Sequence, residues 1–203
     1  NDQKFADSFD ELGHEICAKP PLTENELNAV SSKIDRFIPN ESVLFWLNGS
    51  RHCRSLYYCG NAKPEMLSRT ESVFGHRKAI YGGASFYDVA DLPENLDALR
   101  EWAEETWIAE YAEQKTFWLN SIPFVGTLNG DYLALYITDE RDNPPVIYLS
   151  HDDDSEIIAE SFTTFLRAWE GVCYIGAEIC ILDIFTDEKG LISSNSNRAA
   201  ELR

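Results

Sequence analysis

The chain has 203 residues, a length that suits one large domain with a full hydrophobic core. Its 44% hydrophobic and 12% aromatic residues argue against general disorder. Asp and Glu number 35 against 17 Lys and Arg, which gives a formal net charge of −18 at pH 7. This charge disfavours direct binding to nucleic acid, because the phosphates would be repelled. It permits attraction to a basic protein, with a merely solubilising acidic surface as the alternative.

Cysteine content and hydropathy indicate the compartment. Five cysteines, an odd number at scattered positions, do not form a disulfide framework, so we expect reduced, mostly buried thiols in a cytoplasmic protein. No apolar run approaches the ~20 residues that a membrane span needs, so no membrane contact is expected. No basic segment followed by an apolar core is visible near Asn1. A signal peptide is therefore not expected, although a leader removed before Asn1 stays an open alternative.

The sequence predicts one domain between two less regular ends. Residues 1–20 are mixed in character and are predicted to be an N-terminal arm, and residues 21–185 are predicted to form the domain. Thr23 and Glu26 have the spacing of a capping box, which predicts a helix start. Residues 186–203 are polar and are predicted to be a C-terminal tail.

The middle of the chain carries weaker strand signals and one clear helix signal. Residues 56–59 and 78–81 are short apolar segments near turn residues, and each is predicted to be a strand. Leu92, Leu96 and Leu99 recur at helical spacing and predict a long amphipathic helix.

A β-hairpin is predicted in the second half of the chain. Asn129, Gly130 and Asp131 interrupt an apolar stretch and are typical of a tight turn. Gly130 supplies an unusual φ angle there, and Asp131 can hydrogen-bond its own backbone. The turn is followed by two predicted strands, at residues 132–137 and 146–149.

A short helix is predicted after this hairpin. Ser161 stands where an N-cap residue would stand. Phe162, Phe165, Leu166 and Trp169 follow at helical spacing, so they are predicted to be buried on one face of the helix.

No arrangement of residues in the sequence predicts catalysis, a metal or a cofactor. Ser150, His151 and Asp152 are triad residue types, but adjacent residues on a strand point to opposite faces and cannot form a triad among themselves. Neither a P-loop nor a dinucleotide fingerprint occurs, so no cofactor is expected. Asp152, Asp153 and Asp154 lack the alternating ligands of an EF-hand, and a solvated acidic turn is the favoured interpretation. An enzyme whose site is assembled from distant residues stays an alternative.

Four short motifs follow one another in a characteristic order. They are Ile122-Pro123-Phe124, Gly130-Asp131-Tyr132-Leu133, Val146-Ile147-Tyr148-Leu149, and Ala159-Glu160-Ser161-Phe162 with Phe165-Leu166. In this order they resemble the SUKH superfamily, the Smi/Knr-like proteins of bacterial toxin-immunity systems and of the yeast cell-wall regulator. The resemblance implies an α+β fold: a mainly antiparallel sheet of about five or six strands, with helices packed on one side. It also implies that the motif residues, and Trp169 beside them, have structural roles.

The resemblance suggests that the protein works by binding another protein. The first hypothesis is a non-catalytic immunity protein that neutralises a cognate toxin domain with a basic surface, such as a nuclease. An intracellular adaptor or regulator of the Smi/Knr type is the alternative within the family. The sequence does not determine an oligomeric state.

Exposed acids at loop ends are the candidates for contact with such a partner, because loops can vary while the scaffold holds them in place. These candidates are Asp139, Glu140, Asp142, Asp152, Asp153, Asp154 and Glu156.

Overall fold

Seven strands in one sheet form the framework of the protein. The computed structural model describes residues 12–34, 36–42, 53–59, 63–64, 73–74 and 80–202. The described strands and helices, in chain order, are β1 (Leu12–Ala18), α1 (Glu24–Ser31), β2 (Cys53–Cys59), β3 (Ile80–Phe86), α2 (Leu92–Ala103), α3 (Thr106–Glu110), α4 (Ala112–Leu119), β4 (Ser121–Gly126), β5 (Tyr132–Tyr136), β6 (Val146–Leu149), β7 (Glu156–Ala159), α5 (Phe162–Gly171), α6 (Ile179–Leu182) and α7 (Asn197–Leu202). Short 3₁₀ helices lie at Val89–Asp91 and Asp183–Phe185.

The strands pair in chain order, each antiparallel to the next, so the sheet is a meander from β1 to β7. The α+β class is confirmed, and the sheet has seven described strands instead of five or six. The predicted hairpin is confirmed as β5 and β6, with Tyr132 opposite Leu149 and Leu135 opposite Val146. The weaker strand prediction at residues 56–59 corresponds to β2, and residues 80–81 of the prediction at 78–81 begin β3, whereas residues 78–79 lie outside the described part.

Helices cover both faces of the central strands, which corrects the expectation of helices on one side only. Leu133 and Leu135 of β5 belong to a large core that includes helix α5. Ala134, between them, faces a second core that contains Trp118 of α4 and Ile108 of α3. Successive side chains of a strand point to opposite faces, so β5 and β6 need apolar cover on both sides. None of the helices in the described ranges is long and apolar enough to cross a bilayer.

Helix α5 forms as the sequence predicts. The Oγ of Ser161 accepts a hydrogen bond from the backbone N–H of Thr164 at 3.1 Å, which is an N-cap contact. Phe162, Phe165 and Trp169 are buried, whereas Leu166 is half-buried at the margin of the core.

Two other helix predictions are confirmed. Thr23 and Glu26 form the capping box at the start of α1, with the Thr23 side chain and the Glu26 side chain each accepting the other residue's backbone N–H. The leucines at positions 92, 96 and 99 are buried along α2.

Both chain ends take part in the fold more fully than their composition suggests. Residues 12–18 of the predicted arm form strand β1, whereas residues 1–11 lie outside the described part. The predicted tail packs back on the domain, because the N–H of Ile192 donates to the carbonyl of Ile158 at 2.8 Å. Ile192, Ala199 and Leu202 are all buried.

The three cysteines whose side chains the structure describes differ from the expected pattern of mostly buried thiols. Cys17 and Cys180 are exposed and Cys173 is half-buried. Cys17 is exposed because it lies on β1, an edge strand whose described side chains all face solvent.

Replacing Trp169 with alanine should lower the free energy of unfolding by about 3–5 kcal/mol, because a fully buried aromatic ring leaves a cavity. The indole is 1% exposed, and its Nε1–H donates to the carbonyl of Ile175 at 2.6 Å. Chemical denaturation measures the loss. Trp169→Phe keeps most of the ring volume and should cost less than Trp169→Ala. An unchanged unfolding midpoint in Trp169→Ala would contradict the packing described here.

Candidate functional site

One end of the sheet brings together several loops. The β4–β5 turn, residues 127–131, and the β6–β7 loop, residues 150–155, lie at the same end because β4 to β7 are consecutive antiparallel neighbours. The segment that begins at Glu178 lies against the same end, since Glu178 Oε1 accepts the backbone N–H of Leu128 at 3.4 Å.

A buried carboxylate connects these loops. Asp131 is 2% exposed and closes the β4–β5 turn. Its Oδ2 accepts hydrogen bonds from the Tyr148 hydroxyl of β6 and from the Asn129 side-chain amide. Its Oδ1 accepts the backbone N–H of His151 at 2.9 Å and faces His151 Nδ1 at 2.6 Å. Asp131 therefore holds the turn, the strand and the β6–β7 loop in one arrangement.

His151 lies between two carboxylates. Its Nδ1 faces Asp131, and its Nε2 lies 3.0 Å from Oδ2 of Asp152. The Trp102 ring covers the imidazole, with 5.5 Å between ring centroids. The imidazole therefore links the buried carboxylate of Asp131 to the exposed carboxylate of Asp152.

The β6–β7 loop is closed at its base by neutral side chains. The Oγ of Ser150 accepts the N–H of Asp153 at 3.0 Å, and the Oγ of Ser155 accepts the N–H of Ser150 at 3.2 Å. From α4, Gln114 Oε1 accepts the N–H of Ser155 at 2.8 Å. These bonds fix the loop backbone and leave the aspartate side chains pointing to solvent.

Negative charge accumulates around this loop. We call it the acidic end and define it by the carboxylates of Asp152, Asp153, Asp154, Glu156 and Asp183. Burial raises the pKa of Glu156, and the nearby charges of Asp183 and Asp153 raise it further. Burial also raises the pKa of Asp183. Among the described residues, none of the five carboxylates forms an ion pair with Lys or Arg.

The other predicted contact residues lie elsewhere. Asp139, Glu140 and Asp142 are in the β5–β6 loop, residues 137–145. This loop enters β6 at the end of the strand opposite to the β6–β7 loop. A four-residue strand separates the two loops by about 14 Å. Arg141 binds Asp139 through two hydrogen bonds of 2.7 Å, so part of that loop's charge is already balanced. The seven acids predicted as contacts therefore form two separate groups.

The motif residues lie in the strands and the turn around this end of the sheet and in helix α5. Ile122, Pro123 and Phe124 are buried in β4. Gly130 has a φ of +96°, which is the left-handed region that favours glycine. Tyr132 is half-buried and stacks edge-on against Trp118.

Sequence reasoning missed the partners of Asp131. It treated Asp131 as a turn residue that bonds its own backbone, whereas the structure places Tyr148 and His151 on its carboxylate. The signal was present in the hairpin register: if Tyr132 pairs with Leu149, the residue before β5 meets the residues just after β6. The role of Glu178 has no comparable local signal, because it lies 50 residues beyond Leu128.

The comparison with known families agrees with this architecture. Residues 21–168 match the model of the SMI1 / KNR4 family (SUKH-1), which is more than half of the chain. The chain belongs to the SMI1/KNR4 family. All four motifs of the sequence analysis lie inside the matched range, including the Gly130-Asp131 turn. No curated protein matches the chain.

In this SMI1/KNR4 protein, no group of three or more His, Cys, Asp or Glu side chains within the described ranges is arranged to hold a metal ion. The residues of the acidic end are exposed to solvent. Both carboxylate oxygens of Asp131, in contrast, already have hydrogen-bond partners within the protein. The arrangement offers a negatively charged surface on a rigid base.

Replacing Asp131 with asparagine should destabilise the protein at pH 7 by about 1–3 kcal/mol, since the amide cannot accept all the hydrogen bonds of the carboxylate. Burial alone would raise the pKa of Asp131, but hydrogen bonds from Tyr148, His151 and Asn129 outweigh it and hold the pKa below the ordinary 3.8. The carboxylate therefore stabilises the fold above pH 3.8, and this contribution is lost as the pH falls further.

Urea unfolding at a series of pH values measures this effect. The difference between wild type and Asp131→Asn should be largest near pH 7 and should shrink as the pH falls from about 5 to below 4. Asp154→Asn is the matched control, because that carboxylate is exposed and should give wild-type stability throughout. A difference that stays constant from pH 7 to pH 3 would show that the charge of Asp131 is not responsible.

Proposed function

We propose that this protein is a non-catalytic immunity protein that binds and neutralises a cognate toxin domain with a basic surface. Membership of the SMI1/KNR4 family supports a protein-binding role. The observation that carries the proposal is the acidic end: five carboxylates at one end of the sheet that have no Lys or Arg partner among the described residues.

The charges of the acidic end favour a cationic partner. Glu156 is close enough to Asp153 and Asp183 for their negative charges to raise its pKa. Gathering like charges costs free energy in the unbound protein, and a positive surface would relieve that cost. The same field would accelerate encounter with a basic protein and would be weakened by salt.

The rigidity of the loop favours specific recognition. Ser150, Ser155 and Gln114 fix the backbone, so little conformational entropy is lost when a partner binds. The aspartate side chains between them are exposed, and Asp152 is 84% exposed. A preformed set of charges suits a partner that presents a fixed pattern of basic residues.

The acidic end is a better candidate for the interface than the β5–β6 loop. In the β5–β6 loop, Arg141 balances Asp139 through a bidentate contact. Glu140 and Asp142 are exposed in the same loop, on either side of Arg141, which carries a positive charge. We therefore assign the main contact to the acidic end.

Charge reversal tests this assignment. Changing Asp152, Asp153 and Asp154 together to Lys should slow association with the cognate toxin domain by about tenfold or more at low salt. The fold should survive, because all three side chains are exposed. Stopped-flow or surface-binding kinetics at several salt concentrations measure the rate.

The β5–β6 loop provides the control for this test. Reversal of Asp139, Glu140 and Asp142 to Lys changes the net charge by the same amount at the opposite end of β6. We expect it to slow association much less. Equal slowing by both triple variants would show that overall charge, and not the acidic end, governs the encounter.

A titration tests whether neutralisation is catalytic. Adding this protein to the active toxin domain should abolish toxin activity at an equimolar ratio, with a sharp equivalence point, because each bound molecule blocks one toxin molecule. Inactivation at a small fraction of an equivalent would show catalysis instead. Co-expression should protect cells from the toxin. Cells left unprotected by soluble, folded protein would refute the immunity role and favour an adaptor role.

A further inference from the structure

Leu128 is the most exposed of the large apolar residues in the described ranges. It stands at the apex of the β4–β5 turn, where 83% of the residue is open to solvent. Ile16, the next most exposed, reaches 66% on the edge strand β1. A single exposed leucine is ordinary in itself, so its meaning depends on what holds it and what surrounds it.

The turn that presents Leu128 is braced by hydrogen bonds on both sides of the apex. The N–H of Thr127 donates to the carbonyl of Asp131 at 2.9 Å, and the N–H of Gly130 donates to the carbonyl of Thr127 at 3.3 Å. The Thr127 hydroxyl and the Asn129 amide add contacts to Asp131. The apex is thus fixed in place before any partner arrives.

The backbone of Leu128 is held from within the protein. Its N–H points to Oε1 of Glu178, a residue that is 7% exposed. The second carboxylate oxygen, Oε2, is buried and has no hydrogen-bond partner in the described part of the chain. The contact from Oε1 holds the apex of the turn against the body of the protein.

The turn also adjoins the acidic end. Asp131, in the turn, contacts His151, and His151 contacts the exposed Asp152. Leu128 is therefore an apolar apex between a buried carboxylate on one side and the acidic end on the other. That combination is complementary to a basic protein surface with an apolar depression in it.

We propose that the β4–β5 turn anchors the partner interface, with Leu128 seated in an apolar depression of a basic partner and the acidic end contacting the cationic residues around it. This inference rests on the proposed function and adds the residue that holds the complex together. A rigid apolar anchor loses little conformational entropy when a partner covers it, so more of the free energy of its burial is available for binding. The carboxylates then govern association, whereas Leu128 governs dissociation.

Binding kinetics with a catalytically inactivated form of the cognate toxin domain test whether Leu128 is the anchor. Leu128→Ala should weaken the complex at least tenfold through faster dissociation, and the ratio to wild type should not change with salt. Leu128→Met keeps an apolar side chain of similar volume and should bind nearly as wild type does. Ile16→Ala, which removes the next most exposed aliphatic side chain in the described ranges, should leave the affinity unchanged.

Three results would overturn the anchor in different ways. If wild type binds and neutralises the toxin but Leu128→Ala dissociates at the wild-type rate, the anchor is wrong and the immunity role stands. If wild type neither binds nor protects, the immunity role fails and the anchor fails with it. Equal weakening by Leu128→Ala and Ile16→Ala would show a general effect of losing surface apolar area, and this too would refute the anchor. Thermal unfolding of each variant confirms that the fold is intact.

Discussion

The buried charge of Asp131 is the constraint on which the β4–β5 turn and the β6–β7 loop depend. A carboxylate removed from water must be hydrogen-bonded, or it protonates or destabilises the fold. Here the donors are the side-chain amide of Asn129 in the turn, the hydroxyl of Tyr148 in β6 and the backbone N–H of His151, two residues after β6. None of these elements can shift without leaving a charge or a donor unsatisfied. The loops at this end therefore behave as one unit, although they are separate in sequence.

The second organising feature is that the central strands are covered on both faces. Antiparallel sheets often leave one face to solvent, and their strands then alternate apolar and polar residues. The strands Tyr132–Tyr136 and Val146–Leu149 lack that alternation, because Leu133 faces one core and Ala134 faces the other. The sequence already held this information in its uninterrupted apolar runs. Our expectation of one-sided packing followed the family resemblance instead of that pattern.

Prediction from sequence succeeded where the controlling interactions are local. The Asn129-Gly130 turn and the Ser161 cap each lie within a few residues of the element that they start or end. Residues 186–203, predicted to be a tail, are controlled by contacts that are distant in sequence. Ile192, Ala199 and Leu202 are sparse among polar residues, and only contact with the finished domain buries them. The seven acidic candidates for partner contact are all exposed. Their division between the two ends of β6 follows from the sheet topology, which composition does not reveal.

The bracing of the β6–β7 loop has a consequence for how such a protein can change over time. Its backbone is held by Ser150, Ser155 and Gln114, all of them outside the stretch that faces solvent. The three aspartates between them are exposed, and their side-chain contacts are with immediate neighbours in the loop, such as that of Asp153 Oδ1 with the N–H of Asp154, so substitution there should disturb the fold little. Substitution at these positions can rewrite the charge pattern offered to another molecule while the scaffold stays intact. The surface charge of this loop can therefore change by single substitutions during evolution without loss of the fold.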